Sequence, residues 1–541
     1  MDALIIVVLG LLGIVAASTL GARIGVAAPL LLVVVGIGVS LLPWVPAVHI
    51  DPEWILAGVL PPLLYSASVS MPSMDFRREF GSIGALSVLL VVVSSLVLGA
   101  FFTWVIPGLG IWWGIALGAI VSPTDAVATS IAKKLPVSPR VVSILEGESL
   151  LNDATALVLL RTAIAGTAAS VSLWSVLGKF AFAVVVAVVI GFLVGKVNLM
   201  VRARITDSTA NTVISFTVPF LASIPAEELG ASGLVAAVVA GLVTGYGAPR
   251  TLSPSHRLSD AQNWRTVELV LEGSVFLVMG LELSSIIEDV RAEHQGIPAA
   301  ILVAAGALAL TVVVRAVYVA PLLRALQAVA RRREKIKPTL HDYTNQLENP
   351  EQYGEFKGRR GDKPWEPSDN QLERFKTRLR RTAADIDYYL AAPLGWREGT
   401  VVVWAGMRGA VTLAAAQTLP EDTPSRPLLI LIAFLVAAGS LILQGGTLKR
   451  VVLGVGSSPG TTVDSDIDER RRILELLDSA AVAVVSDGSS KRYQLAVLDA
   501  QRQAVLDARD DGLFDGRMLA TVLEVLDADQ ISLELKGGPD D

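Results

Sequence analysis

Residues 121–160 read VSPTDAVATSIAKKLPVSPRVVSILEGESLLNDATALVLL, and this stretch decides the fold. It links two apolar segments, each long enough to cross a bilayer, through a short loop with Lys133, Lys134 and Arg140. Both segments carry acid where lipid would forbid it: Asp125 in the first, Glu146, Glu148 and Asp153 in the second. A carboxylate inside a membrane helix is costly and marks a functional site by default. At about 100° per residue, Glu148, Ser149, Asn152 and Asp153 share an arc of roughly 140°. Leu150, Ala154, Leu157 and Val158 form the apolar face opposite. Pro123 has no N–H and disfavours helix at Ser122, so the first segment is expected to break there. The break would free carbonyls beside Thr124 and Asp125, which is how transporters build ion sites near the midplane. One polar residue in such a helix is commonly only a helix–helix contact. A cluster on two neighbouring helices, one of them broken, predicts one shared polar site.

The rest of the chain fits a polytopic membrane protein. Its 541 residues are 52% hydrophobic and only 18% charged, with a mean hydropathy of +0.57, above a soluble globular norm. It has no cysteine, which excludes disulfides and thiolate metal sites. The first segment lacks a basic leader and begins Met1-Asp2, so it is expected to be a retained helix. Apolar segments between residues 3 and 448 give about thirteen spans, the eighth (211–225) being short and holding Pro219. One set of loops carries Arg23, Arg77, Arg78, Lys133, Lys134, Arg140, Arg202, Arg204, Arg250, Arg257 and Arg265; the alternate short loops carry only Arg291 and Arg426. The positive-inside rule makes the first set cytoplasmic, with the N-terminus outside and the C-terminus inside.

The membrane part is expected over 1–450, interrupted by a polar cytoplasmic insert at 324–398. The insert holds an Arg331-Arg332-Arg333 run and a basic cluster from Arg374 to Arg381. Its middle, rich in Pro and Gly from Pro350 to Pro367, reads as poorly ordered, and Gln371–Leu390 as a helix. The basic face of that helix could meet anionic lipid or the acidic tail; a solvated surface is the preferred reading. After a linker, residues 464–541 form an acidic cytoplasmic tail with helical periodicity, carrying eighteen Asp and Glu against nine Lys and Arg. It holds no glycine-rich nucleotide fingerprint and no EF-hand loop, and nothing in the chain reads as binding nucleic acid.

Further charges lie within the spans. Arg408 sits mid-span in WAGMRGAVTLAAA between Gly406 and Gly409, which suggests a second local unwinding. A buried arginine stays charged and needs a carboxylate; Glu148 is the best candidate, in a structural pair. Glu268, Glu272 and Glu282 line one span and Arg315 the next, so Glu272 and Arg315 could also pair. Ser440 and Gln444 read as ordinary polar contacts. His49, His256, His294 and His341 fall in loops or span ends, unsuited to a relay.

Three motifs in order, SPTDAVA at 122–128, EGESLLNDATALVL at 146–159 and WAGMRGAVTLA at 404–414, resemble the electroneutral branch of the cation/proton antiporters, the NhaP-like sodium/proton exchangers. PPLLYSA at 61–67 and LILQGGTL at 441–448 add to the resemblance, which covers roughly residues 1–450. It implies an all-α fold of two inverted repeats with crossed, broken helices, a core domain, a dimerisation domain and hence a homodimer. It further implies that Asp153 binds ion and proton, aided by Asp125, Ser149 and the backbone at Thr124. Asn152 takes the place where electrogenic relatives carry a second aspartate, and Glu148 with Arg408 resembles the family's structural ion pair. One departure stands out: many relatives have an acid after the aromatic of the third span, whereas here Ser66 follows Tyr65.

The expected activity is secondary transport, not enzymatic chemistry and without a cofactor: one monovalent cation, sodium first, exchanged for one proton by alternating access in the plasma membrane. Carboxylates, hydroxyls and freed carbonyls are the hard oxygen ligands such a cation prefers. The alternatives are a potassium/proton antiporter of the same fold, a cation channel, and a membrane-embedded hydrolase. The last lacks any metal-ligand histidine spacing.

Overall fold

A computed structural model describes residues 2–43, 45, 50–168, 173–293, 296–348, 369–456, 463–484 and 491–536. Among them there is helix, turn and loop but no strand. In lipid a helix satisfies every backbone group internally, and apolar segments of about twenty residues have the length to span as one.

The first helices are α1 (Asp2–Ile24) and α2 (Ala28–Ser40), followed by a π-turn at Trp54–Val59 that runs into α3 (Leu60–Ser70). Next come α4 (Ser73–Gly84) and α5 (Val91–Val105), joined through a π-turn at Ala85–Leu90 into one rod. α6 (Ile111–Val121) and α7 (Val127–Ala132) are two halves of a broken helix, and α8 (Pro139–Ala168) follows. α9 (Leu173–Arg202), α10 (Ser208–Glu228), α11 (Gly233–Thr251), α12 (Pro254–Leu281) and α13 (Leu283–Ala292) continue the bundle. α14 (Ile297–Glu348) is the longest helix, and α15 (Asp369–Ala391) lies in the insert. α16 (Trp396–Trp404) and α17 (Ala410–Gln417) are the halves of a second broken helix; α18 (Arg426–Ser440) and α19 (Gly446–Val455) close the membrane part. The tail is α20 (Val463–Val482), α21 (Lys491–Asp511) and α22 (Gly516–Lys536). Among the described residues, eight helices, some of them composite, are long and apolar enough to cross a membrane.

Lipid offers no hydrophobic drive between helices, so small residues set how closely they pack. α2 and α12 meet through Gly36 and Gly280, whose facing Cα atoms leave no room for a Cβ. On α6, a Cβ at Gly118 would stand 2.3 Å from the Ser95 carbonyl of α5. The largest apolar core joins α5, α6, α8, α17 and α18 and surrounds the two breaks. The faces of α1 and α9 are largely exposed, with Leu4–Leu9 and Val185, Val188, Val189, Phe192 and Leu193 presenting bare apolar side chains suited to lipid.

The insert differs from the sequence expectation in two ways. α14 does not stop near residue 323; it carries the Arg331-Arg332-Arg333 run onward as helix to Glu348. Ala, Leu, Arg and Lys are strong helix formers, and polarity alone ends no helix. α15 is also more than a solvated surface. Its Asp385 accepts from Arg78 Nε at 2.7 Å, Tyr389 donates to the Arg78 carbonyl, and Arg140 donates to the Ala392 carbonyl at 2.7 Å. The Arg140 and Arg333 guanidiniums lie 4.7 Å from the Tyr389 ring centroid. Burial against this cluster pushes the Tyr388 hydroxyl above its usual pKa. The stretch from Pro350 to Pro367, read as poorly ordered, lies outside the described residues.

Candidate functional site

The two broken helices meet at their breaks. α6 ends at Val121, the chain runs unwound through Ser122–Ala126, and helix resumes at Val127. α16 ends at Trp404 and α17 starts at Ala410, with Ala405–Gly409 unwound between them. Asp125 N–H donates to the Met407 carbonyl at 2.8 Å, tying one break to the other. Arg408 serves the carbonyls that the breaks strand. Its Nε donates to Val121 O at 2.9 Å, Nη2 to Ser122 O at 3.4 Å, and Nη1 to Gly406 O. Ser440 holds the same segment from α18, accepting from Arg408 N–H at 2.8 Å. An unpaired buried carbonyl is expensive, and one charged fork answers three. At Gly409 any side chain would displace Asp125: a Cβ there would lie 1.4 Å from Asp125 Oδ2.

α8 presents its polar face to these breaks. Asn152, fully buried, donates from Nδ2 to the Thr124 carbonyl at 2.8 Å and to Thr124 Oγ1 at 2.7 Å. Thr124 Oγ1 in turn donates to Glu148 Oε1 at 3.0 Å. Asn152 therefore braces the unwound strand, and its own Oδ1 is left without a partner. Ser149 is buried and donates back to the Glu146 carbonyl at 3.0 Å. Asp125 is half-buried and spends Oδ1 on the Val127 N–H at 2.8 Å. Asp153 is different: it is 8% exposed and accepts no hydrogen bond from any described residue. It interacts electrostatically with Asp125 across the gap. Asp153 and Asp125 thus stand near each other at the breaks, and among the described residues Asp153 accepts no hydrogen bond.

The expected Glu148–Arg408 pair does not form. Glu148 is clamped instead by Arg315 of α14, Nη1 to Oε1 at 2.5 Å and Nη2 to Oε2 at 2.7 Å. Both residues are 2% exposed. Arg315 Nε also donates to Val402 O at 2.8 Å, so the clamp holds α8, α14 and α16 together. The expected Glu272–Arg315 pair is overturned by the same contact. The bidentate fork that suits a carboxylate points from α14, while the Arg408 fork is consumed by backbone.

Ser66, buried on α3, lines a cavity of about 430 Å³. Glu268 and Trp264 of α12, Thr244 of α11, and Leu523 and Asp527 of the tail line the same cavity. Glu272 sits one turn deeper than Glu268 and interacts electrostatically with Asp125 and Glu268. Sequence reasoning underrated Glu268, Arg315 and Ser440. The intramembrane charges were visible, but nothing local told which helix faces α8. No cluster of three or more His, Asp or Glu suited to a resident metal occurs among the described residues.

The sequence model described as "Sodium/hydrogen exchanger, transmembrane" matches residues 5–353 and 374–454. An uncharacterized Na+/H+ exchanger of Mycobacterium bovis is 28% identical over 98% of this chain and 96% of its own length. A low-affinity Na+/H+ antiporter of Synechocystis is 26% identical over 88% of this chain and 80% of its own. Among solved structures, the sodium proton antiporter MjNhaP1 from Methanocaldococcus jannaschii superposes with a TM-score of 0.57 at 16% identity, covering 84% of this chain and 99% of that one.

Proposed function

We propose, on the premise that this chain belongs to the sodium/hydrogen exchanger family and exchanges a monovalent cation for protons across a membrane, that Asp153 is the group both ions share. The observation that carries this is the Asp153 carboxylate: buried mid-helix near Asp125 of the first break, yet with no hydrogen-bond partner among the described residues. Such a group needs a proton or a cation to be stable in the membrane interior. Asp125, the Ser149 hydroxyl and the Thr124 carbonyl complete an oxygen set around the cation. Asn152 positions Thr124 and does not titrate, so the site holds a single exchangeable charge beside Asp125, and one cation leaves for each proton that enters. Sodium is the first cargo by its preference for hard oxygen donors, with potassium and lithium as competitors. Helices α6/α7 and α16/α17 carry the loaded site between the two sides. The chain acts as a homodimer in the plasma membrane, N-terminus outside and tail in the cytoplasm, as the resemblance and the loop charges support.

Competition at one carboxylate fixes the sign of the pH dependence. Protons weaken cation binding and cations weaken proton binding equally. Apparent cation affinity should fall about tenfold per pH unit once protons dominate the site, and exchange should be bell-shaped in pH, because each half-cycle needs a different occupant. Purified protein in liposomes, with each cation added in turn, tests this. Asp153→Asn should abolish exchange while the protein stays folded and monodisperse. Robust exchange by that variant would sink the assignment, and a rate that follows an imposed voltage would sink the one-for-one stoichiometry. Uncoupled current without proton counterflow would mark a channel.

A further inference from the structure

The tail meets the membrane part and α15 around a second cavity, of about 1000 Å³, remote from the breaks. It lies at the upper end of the small-molecule range. Its tail wall is cationic although the tail as a whole is acidic, with Arg470, Arg472 and Arg517 all facing it. Among the described residues Arg470 and Arg472 make no ion pair; Arg472 rests 5.6 Å from the Phe514 ring centroid. Arg517 Nη2 is buried with no hydrogen-bond partner.

The acids in the same wall are engaged elsewhere. Asp387 is paired with Lys337 at 2.5 Å. Asp515 Oδ1 caps α22, accepting from Arg517 N–H at 2.9 Å and Met518 N–H at 3.1 Å, and Glu469 accepts the Asp515 N–H at 2.5 Å. Asp75 interacts electrostatically with Arg517 but forms no ion pair with it. Arg78 and Arg140, on the membrane side, are spent on Asp385 and Glu79. Arg470, Arg472 and Arg517 thus line one cleft without a salt bridge among the described residues, Arg470 and Arg472 exposed and Arg517 half-buried, while Glu469 and Asp515 in the same wall are taken up by backbone N–H groups. Beside them stand Phe514, Leu477 and Met518, an apolar floor.

We propose that this cleft binds a phosphate-bearing ligand, with its phosphate on Arg470, Arg472 and Arg517 and its planar or apolar part on Phe514 and Leu477. Guanidinium forks match phosphate oxygens bidentately, and Arg517, whose Nη2 is buried without a partner, gains most from such an anion, while the exposed Arg470 and Arg472 add charge at the cleft's rim. A cytoplasmic nucleotide and an anionic lipid headgroup share this chemistry. Because the walls come from α15, α20, α22 and the membrane part together, the ligand binds only when these elements are docked, and it stabilises that arrangement.

The test is calorimetric titration of the full-length protein in detergent with three probes: ATP, inorganic phosphate and dioctanoyl phosphatidic acid. ATP or phosphatidic acid should bind with a sub-millimolar Kd, tighter than inorganic phosphate. Affinity should drop at least tenfold in Arg470→Gln and in Arg517→Gln, and be partly kept in Arg517→Lys. Arg471→Gln, on the neighbouring position paired with Asp468 at 3.1 Å, should bind as the parent does. Sodium/proton exchange by the same preparations in liposomes shows that the variants are folded. Preference for ATP assigns a nucleotide, and preference for phosphatidic acid assigns a lipid headgroup. Failure of all three probes to bind, or equal binding by the Arg470 and Arg517 variants, overturns the site without touching the exchange reading.

Discussion

Glu148 and the two intramembrane arginines show what a single residue contributes here. Arg315 neutralises Glu148 through two parallel hydrogen bonds, whereas Arg408 is fully occupied by the Val121, Ser122 and Gly406 carbonyls. Removing one partner of a buried pair costs about 3–5 kcal/mol, because a charge is left alone. Arg315→Ala should therefore lower the thermal stability and yield of detergent-purified protein severely, and Glu148→Gln in the same chain should recover part of the loss. Arg408→Ala should also destabilise, through stranded carbonyls, but Glu148→Gln should not rescue it. Rescue of the Arg408 variant and not of the Arg315 variant would reverse the pairing. The sequence located every one of these charges and showed that Glu148 needed a partner. It could not choose between Arg315 and Arg408, because that choice depends on which helix packs against α8. Asp153, Asp125, Thr124 and Asn152 were legible because they lie on one helical face or beside a proline, where local geometry suffices. Ser66 was legible only as a departure from a pattern, and Glu268, which shares its cavity, lay outside any motif.

At the scale of elements, the function rests on two helices that refuse to continue. Pro123 and the Gly406–Gly409 pair announced both breaks in the sequence, since each removes a donor or a side chain that a helix would keep. The meeting of the breaks is set by Gly409, over which the Asp125 carboxylate lies. Gly409→Ala should separate the two unwound segments or expel Asp125, so exchange in liposomes should fall at least tenfold. Gly446→Ala, where a Cβ would meet nothing within 4 Å, should leave the rate unchanged. Equal rates for the two variants would show that the breaks need not touch. The π-turns at Trp54–Val59, Ala85–Leu90 and Leu441–Gly445 escaped the sequence reading. An extra residue in a helical turn alters no hydrophobic period long enough to detect. The onward run of α14 was missed for another reason: the composition changes where the helix leaves the membrane, but the helix has no cause to end.

At the scale of the whole molecule, charge sets the expected orientation and holds the tail against the membrane part. The chain lacks cysteine, so Ser479→Cys in exposed α20 gives a single label site. An impermeant thiol reagent should reach it only in inside-out vesicles; labelling of intact cells would overturn the assigned topology. The tail docks on the ends of the spans through arginines of the loops that the positive-inside rule assigns to one side. Arg257 Nε donates to Asp527 Oδ2 at 2.8 Å and Nη2 pairs with Oδ1. Arg250 reaches Asp507 at 3.1 Å and Asp510 at 2.9 Å, and Arg78 Nη2 donates to the Gly512 carbonyl at 2.8 Å. Arg250 and Asp507 are well exposed, so that link is weak and screened by salt. Arg257 and Asp527 are sheltered, and Asp527 also accepts from Arg502 at 3.2 Å within the tail. A charge-assisted hydrogen bond of this kind contributes about 1.5–3 kcal/mol. Arg257→Glu places two like charges face to face and should raise the opening equilibrium of α22 by roughly tenfold to a hundredfold. Hydrogen exchange of residues 516–536 should report this as faster amide exchange, while α8 amides stay protected. Adding Asp527→Arg restores opposite charges across the contact, and protection should return in part, limited by the new repulsion from Arg502. Unchanged exchange in the single variant would mean that the tail is held by its apolar contacts and not by this pair.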